Sequence, residues 1–324
     1  MYISEIAPKE SRGRLVALFQ FNIVLGILLA YLSNYLIASL VSDVSWRLML
    51  GVEAIPALAF MIMVLFVPRS PRWLIVKQDN ETEARDVLGQ IGLSEGEIGV
   101  AVQSIKDSIL VERSGRREGF LSGKFNFSIL LAFLIAFFNQ MSGINAVIYY
   151  APRIFEMAGR ETSSALLSAT GIGVVNLVFT MIGISLIDRF GRKTLMYIGS
   201  IGYLISLGLV SRAFYTESFE GVPLFLFLFI AAHAIGQGAV IWVFISEIFP
   251  NQVRASGQAF GSFVHWIMAA LIANVFPYFA GAYGGGPIFA FFCFMMFLQL
   301  LFVWRLMPET KGRSLEELEE ELAR

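Results

Sequence analysis

The chain has 324 residues, 56% of them hydrophobic and 15% charged, and a mean hydropathy of +0.69. A soluble domain carries about 25% charged residues, so the composition excludes an ordinary soluble fold and points to a helical protein with several membrane spans. The net charge of −1 decides nothing, because the charges are segregated between loops; the lipid bilayer is the expected partner and no nucleic acid is.

Eight apolar runs are long enough to span, at about residues 15–40, 47–67, 125–155, 165–187, 194–214, 222–249, 255–280 and 287–307. Residues 1–14 are polar and the first run is too long for an h-region, so no cleavable signal peptide is expected. Glu53, in Leu50-Gly-Val-Glu-Ala-Ile-Pro56, is the clearest acid inside a span. Embedded acids are costly and often functional, although an acid one to two turns from the outer end of its span can also snorkel to the interface. Residues 69–124 form one long polar segment with two amphipathic stretches, starting at Glu81 and Glu97. It reads as a helical connector or as a small regulatory domain.

The stretch Asn139-Gln-Met-Ser-Gly-Ile-Asn-Ala-Val-Ile-Tyr-Tyr150 places amides, a hydroxyl, a helix-weakening glycine and paired tyrosines inside an apolar run. Each uncompensated polar group in hydrocarbon costs on the order of a few kcal/mol, so the cluster should face protein or a water-filled cavity. Its groups form hydrogen bonds and carry no charge, which suits a neutral polyhydroxyl ligand; the alternative is interhelical glue. Cys293, the single cysteine, lies in an apolar run, so neither an intrachain disulfide nor a thiolate metal site is expected. If the N-terminus is cytoplasmic, all but four of the 24 Lys and Arg (Arg47, Arg153, Arg160 and Arg212) fall on the cytoplasmic side. The positive-inside rule therefore predicts cytoplasmic termini.

An internal repeat organises the chain. Ser4-Glu-Ile-Ala-Pro-Lys-Glu-Ser-Arg12 matches Ser246-Glu-Ile-Phe-Pro-Asn-Gln-Val-Arg254, and Val67-Pro-Arg-Ser-Pro-Arg72 matches Met307-Pro-Glu-Thr-Lys-Gly-Arg313 at a nearly equal offset. These landmarks equate the first two spans with the last two. The second copy has four spans ahead of its Ser-Glu-Ile motif, so four further spans are expected ahead of the first. The intact protein would then have twelve, and this chain would be a fragment.

The residues resemble one family, the sugar porters of the major facilitator superfamily, including bacterial proton-coupled xylose and hexose symporters and animal glucose facilitators. The carriers are Ser4-Glu5…Pro8…Arg12-Gly13, Pro68-x-Ser-Pro-Arg72, Gln140-x-Ser-Gly-Ile-Asn145 with Tyr149-Tyr150, Asp188-Arg-Phe-Gly-Arg192, Ser246-Glu247…Arg254 and Pro308-Glu-Thr-Lys-Gly312. The resemblance implies an all-α membrane protein, a major facilitator helical bundle with eight of twelve transmembrane helices present. Residues 1–68 would close the N-terminal bundle and 69–124 form a cytoplasmic connector. Residues 125–307 would be the C-terminal six-helix bundle and 308–324 a cytoplasmic tail. It implies a plasma (cytoplasmic) membrane location, a sugar substrate, no cofactor, no metal and no enzymatic activity.

The same resemblance puts sugar contacts on Gln20, Gln140, Asn145, Asn176 and Trp242, with Asn139 and Tyr149 in the same stretch. His265-Trp266 occupies an amide-Trp position of the family. Amides pair a donor with an acceptor, as vicinal hydroxyls require, and a Trp face covers sugar C–H groups. Gln20 and Asn176 can also be read as interhelical pairs and Trp242 as packing. His265 reads as ligand contact, titrating group or packed histidine. Gly143 reads as a weakened turn lining the site, the preferred reading, or as a close-approach residue. Asn139 shortens an arm that is Gln in many members, Arg69 replaces a Glu of the Pro-Glu-Ser-Pro-Arg motif, and the span ending at Trp242 lacks the facilitators' prolines. The resemblance assigns Glu5, Arg12, Asp188, Arg189, Arg192, Glu247 and Arg254 to a cytoplasmic gate, where exposed ion pairs of little energetic consequence are the alternative. It assigns Glu53 to proton coupling. Transport by alternating access with proton symport is the leading expectation; a non-transporting sugar sensor and an inactive fragment are the alternatives.

Overall fold

The structure, a computed structural model, describes residues 12–41, 45–114, 119–250 and 252–313, with 318 and 322. Glu5 lies outside the described residues, and so does most of the tail beyond residue 313. Arg12 opens the first described helix, but its side chain is outside the description.

All regular structure among the described residues is helical. In chain order the helices are α1 (Arg12–Leu40), α2 (Ser45–Val52), α3 (Ala54–Val64), α4 (Pro71–Gln78), α5 (Glu81–Gln90), α6 (Glu95–Ser114), α7 (Asn126–Met141), α8 (Ile144–Met157), α9 (Thr162–Phe190), α10 (Arg192–Tyr215), α11 (Val222–His233), α12 (Ala239–Glu247), α13 (Arg254–Tyr283) and α14 (Gly285–Arg305). A π-helical turn, Ala234–Gly238, joins α11 to α12. Eight segments are long and apolar enough to cross a membrane, each overlapping one of the eight predicted runs. Three of them are built from two helices: α2 with α3, α7 with α8, and α11 with α12.

The chain divides into two compact units, residues 1–22 with 44–118 and residues 23–43 with 119–324. In the first unit, α2 and α3 are separated only by Glu53, three residues before Pro56, which cannot donate to the preceding turn and so interrupts the helix. Neither helix buries a residue in this unit. Helices α4 to α6 close on a small core of Leu74, Ile75, Ala84, Val87, Leu88, Ile98 and Val102. Their ends follow the sequence. Ser70 caps α4 ahead of Pro71, and Asp79 stops it in the left-handed conformation at φ 51°. Asn80 caps α5 by accepting from Glu83 N at 3.1 Å. Glu97 accepts from Ser94 N at 2.8 Å and from its hydroxyl at 2.6 Å, the reciprocal half of a capping box. Glu81 binds Lys106 at 2.5 Å and Arg85 at 2.9 Å, and these two cations hold its carboxyl below the usual range.

The second unit holds the remaining spans around one apolar core. Helix α10 packs along α14 and α11, α13 along α7, and α9 along α8 and the π turn. Residues 23–40 of α1 belong to this unit. They lie on α9, where a methyl group on Gly173 would come within 2.9 Å of the Leu28 Cα, and the Tyr31 hydroxyl donates to the Ile148 carbonyl.

Candidate functional site

The site begins with a break. Helix α7 ends at Met141 and α8 begins at Ile144, with Gly143 between them at φ 81°. A residue with a Cβ adopts that conformation at a cost, and here a methyl group would also lie 2.5 Å from the Phe292 ring. Both readings of Gly143 therefore hold, the weakened turn and the close approach. Ser142 closes the turn: its hydroxyl donates to Asn139 O at 2.6 Å and accepts from Ile144 N at 3.2 Å. Gly143→Ala is expected to destabilise the protein by about 2–4 kcal/mol, the sum of a left-handed backbone penalty and overpacking. A clear fall in the thermal unfolding midpoint in detergent is the measurement; an unchanged midpoint would mean that Phe292 yields freely.

The break gathers the amides around Gln140, which is fully buried. Its Oε1 accepts from Asn145 Nδ2 at 3.0 Å, and its Nε2 donates to Asn139 Oδ1 at 3.0 Å. The same Nε2 lies 3.2 Å from Nε2 and 3.3 Å from Nδ1 of His265, so a neutral ring offers it an acceptor in either tautomer. Above the His265 ring stands Trp242, centroids 5.0 Å apart, and Trp266 meets the same ring edge-on, also at 5.0 Å. Trp242 is 37% exposed, so part of its indole stays open. The arrangement offers several directional donors and acceptors, an aromatic face and no formal charge.

The other predicted residues divide. Asn176 is buried on α9, where its Oδ1 accepts from Thr180 on the same helix at 3.4 Å. Tyr149 is exposed, whereas Tyr150 donates to Ala273 O at 2.8 Å and stacks on Phe276. Gln20 is half-buried and Glu53 exposed, both in the first unit.

The charged residues at the far end of this bundle form a cluster with partners that the repeat did not indicate. Arg192 grips Glu247 with two bonds, Nη2 to Oε1 at 2.7 Å and Nε to Oε2 at 3.0 Å, and reaches Asp188 with Nη1 at 3.2 Å. Arg254, seven residues after Glu247, instead donates from Nε to the Phe249 carbonyl at 3.3 Å. Arg189 contributes its backbone carbonyl, which accepts from Lys311 Nζ at 2.7 Å. Two members were not anticipated. Glu309 accepts from Arg192 N and Lys193 N at 2.9 and 3.0 Å, placing a carboxylate at the start of α10, where the helix dipole favours it. Thr310 donates to Glu247 Oε2 at 2.6 Å.

A family profile described as "Sugar (and other) transporter" matches residues 1–322. The chain belongs to this family. It is 39% identical over 333 residues to the D-xylose-proton symporter of Escherichia coli strain K12, covering 98% of this chain and 67% of that one. It is 34% identical to the arabinose-proton symporter of Bacillus subtilis strain 168, covering 98% and 70%. Among solved structures it matches the partially occluded, inward-open xylose transporter XylE from E. coli with a TM-score of 0.84 at 36% identity, covering 97% of this chain and 67% of that one. It also matches the proton:xylose symporter XylE bound to 6-bromo-6-deoxy-D-glucose, with a TM-score of 0.76 at 36% identity and coverage of 99% and 69%. The chain thus spans about two thirds of the length of these relatives, and its fold is that of the major facilitator superfamily.

Proposed function

We propose that this protein carries a monosaccharide across the plasma membrane by alternating access, together with a proton, with both termini in the cytoplasm. The observation that carries the substrate class is the uncharged amide cluster on Gln140 with the partly open indole of Trp242. A sugar needs paired donors and acceptors for its hydroxyls and an apolar wall for its C–H face, and an ion would need charge or carbonyl rings instead. Gln140, Asn145, Asn139 and His265 supply the first, Trp242 and Trp266 the second, with Asn176 and Tyr149 completing the site. A site built on a broken helix inside an apolar bundle is a common transporter arrangement.

Proton coupling is assigned to Glu53, an acid at the break between α2 and α3 inside an apolar span. Helices α4 to α6 act as the cytoplasmic connector, residues 69–124, between the end of the N-terminal bundle (1–68) and the C-terminal bundle (125–307). The Arg192–Glu247–Asp188 cluster, with Arg189 and Arg254, acts as the cytoplasmic gate of its bundle, and Glu5 and Arg12 hold the same motif positions in the N-terminal copy.

The test is uptake of D-xylose and D-glucose into proteoliposomes carrying a proton gradient. Concentrative uptake abolished by a protonophore is expected, and Glu53→Gln should lose accumulation while keeping sugar exchange. Accumulation indifferent to the protonophore would overturn the coupling, and failure to take up any pentose or hexose would overturn the substrate class.

A further inference from the structure

The span from Val222 to Glu247 carries Trp242, and it is not a continuous α-helix. The π turn Ala234–Gly238 inserts one residue between α11 and α12. One residue corresponds to about 100° of helical rotation, so the direction in which Trp242 points depends on the bulge remaining where it is. Bulges of this kind are usually found at functional positions and need something to hold them.

Two sets of contacts hold this one. The first is backbone on backbone. A Cβ built on Gly199 would lie 2.9 Å from the Gly236 Cα, one on Gly236 would lie 2.8 Å from the Gly199 Cα, and one on Gly183 would lie 2.7 Å from Ala234 O. The second is a buried polar chain. Tyr203 Oη lies 2.5 Å from His233 Nδ1 and donates to Gln237 Oε1 at 3.4 Å. Gln237 Nε2 donates to Gln299 Oε1, Gln299 Nε2 to Ser200 Oγ at 2.8 Å, and Ser200 Oγ to Met196 O at 2.7 Å. A phenol has one proton, so with that proton on Gln237 the Tyr203 oxygen accepts from His233 Nδ1–H. Every donor then runs in one direction, from His233 of α11 through Tyr203 of α10, the π turn and α14 to the backbone of α10.

We infer that the His233–Tyr203–Gln237–Gln299–Ser200 chain is a register lock that fixes the π turn and thereby aims Trp242 at the sugar. These are positioning residues, and the inference rests on the reading of Gln140 and Trp242 as the sugar site. A neutral lock of this kind is worth having because both amides would be orphaned, at a cost, if the bulge migrated.

The test uses the protein in proteoliposomes with D-xylose as the probe. The double variant Gln237→Leu/Gln299→Leu removes both central amides at similar volume. It is expected to weaken D-xylose binding roughly tenfold, raising KM while the maximal rate changes by less than about threefold. Deleting Gly238 in that background supplies the rescue. It converts the π turn to α while leaving Trp242 on its original face, so affinity should return to within about threefold of the parent. A purely structural role predicts no such rescue. Unchanged affinity in the double variant, or an affinity loss that the deletion does not repair, overturns the lock. If the double variant does not reach the membrane, Tyr203→Phe severs the chain at one hydroxyl and should weaken binding about threefold, and an unchanged KM then overturns it. Failure of the underlying site is visible separately, as normal D-xylose binding by Trp242→Ala in the parent.

Discussion

Gln140→Leu is expected to weaken sugar binding by a hundredfold or more and to remove measurable uptake at millimolar sugar. The side chain is the one group that bonds Asn139, Asn145 and His265 together, and it is fully buried. Leucine fills a similar volume but leaves the amide of Asn145 and the carbonyl of Asn139 facing hydrocarbon. Each such loss costs about 1–3 kcal/mol, so two of them, about 2–6 kcal/mol, bracket the roughly 2.7 kcal/mol that corresponds to a hundredfold change. The comparison that isolates the mechanism is His265→Gln. It places an amide at this position, and Gln140 Nε2 would find a carbonyl acceptor in place of the imidazole. Binding within a few-fold of the parent is expected for His265→Gln, and a large loss for His265→Ala. Calorimetric titration of the purified protein with sugar reads both. If Gln140→Leu bound sugar within threefold of the parent, the amide cluster would have to be interhelical glue and the ligand would sit elsewhere.

Much of this was readable from residue order because membrane physics is severe. A span must be apolar over about twenty residues, so all eight runs could be bounded within a few positions. A polar cluster inside such a run has to be compensated, so Asn139 to Tyr150 stood out before any contact was known. What stayed hidden depends on contacts between distant residues. Gln237 and Gln299 lie on the sixth and eighth spans with a whole span between them, and each is a single amide in an apolar background, where hydropathy averages it away. The π turn has no marker in Ala-Ile-Gly-Gln-Gly, because what selects it is the Gly199 backbone opposite Gly236. Glu247 and Arg254 stand in one repeated motif, yet Glu247 faces Arg192. The spacing records that both copies share a motif and carries no information about which side chains face each other. Glu309 was quoted only as part of a motif, and its role as a cap on α10 follows from Gly191, whose φ of 87° turns the chain toward it.

Glu247→Gln is expected to shift the transporter toward its inward-open state by about five- to 150-fold. In the cluster, Glu247 accepts both arms of the Arg192 fork and the Thr310 hydroxyl, so one carboxylate joins α10, α12 and the segment after α14. The Arg192 side chain is 10% exposed and that of Glu247 24%. Breaking a fully buried pair costs about 3–5 kcal/mol, and the partial exposure of Glu247 reduces this to about 1–3 kcal/mol. If the cluster exists only while the cytoplasmic side is closed, the whole of that loss falls on one state, and 1.4 kcal/mol is a factor of ten in the population. Glutamine keeps the Thr310 bond and the shape, so the change isolates charge. The reading is the reactivity of cysteines introduced along the cytoplasmic vestibule, which should rise in Glu247→Gln and rise similarly in Arg192→Gln. Arg254→Gln should change it less, since Arg254 bonds a carbonyl of its own connecting loop. Equal reactivity in all three and in the parent would mean that the pair persists through the transport cycle and acts as a strut within the C-terminal bundle. In that case the gate would have to be sought among contacts that Glu247 and Arg192 do not make.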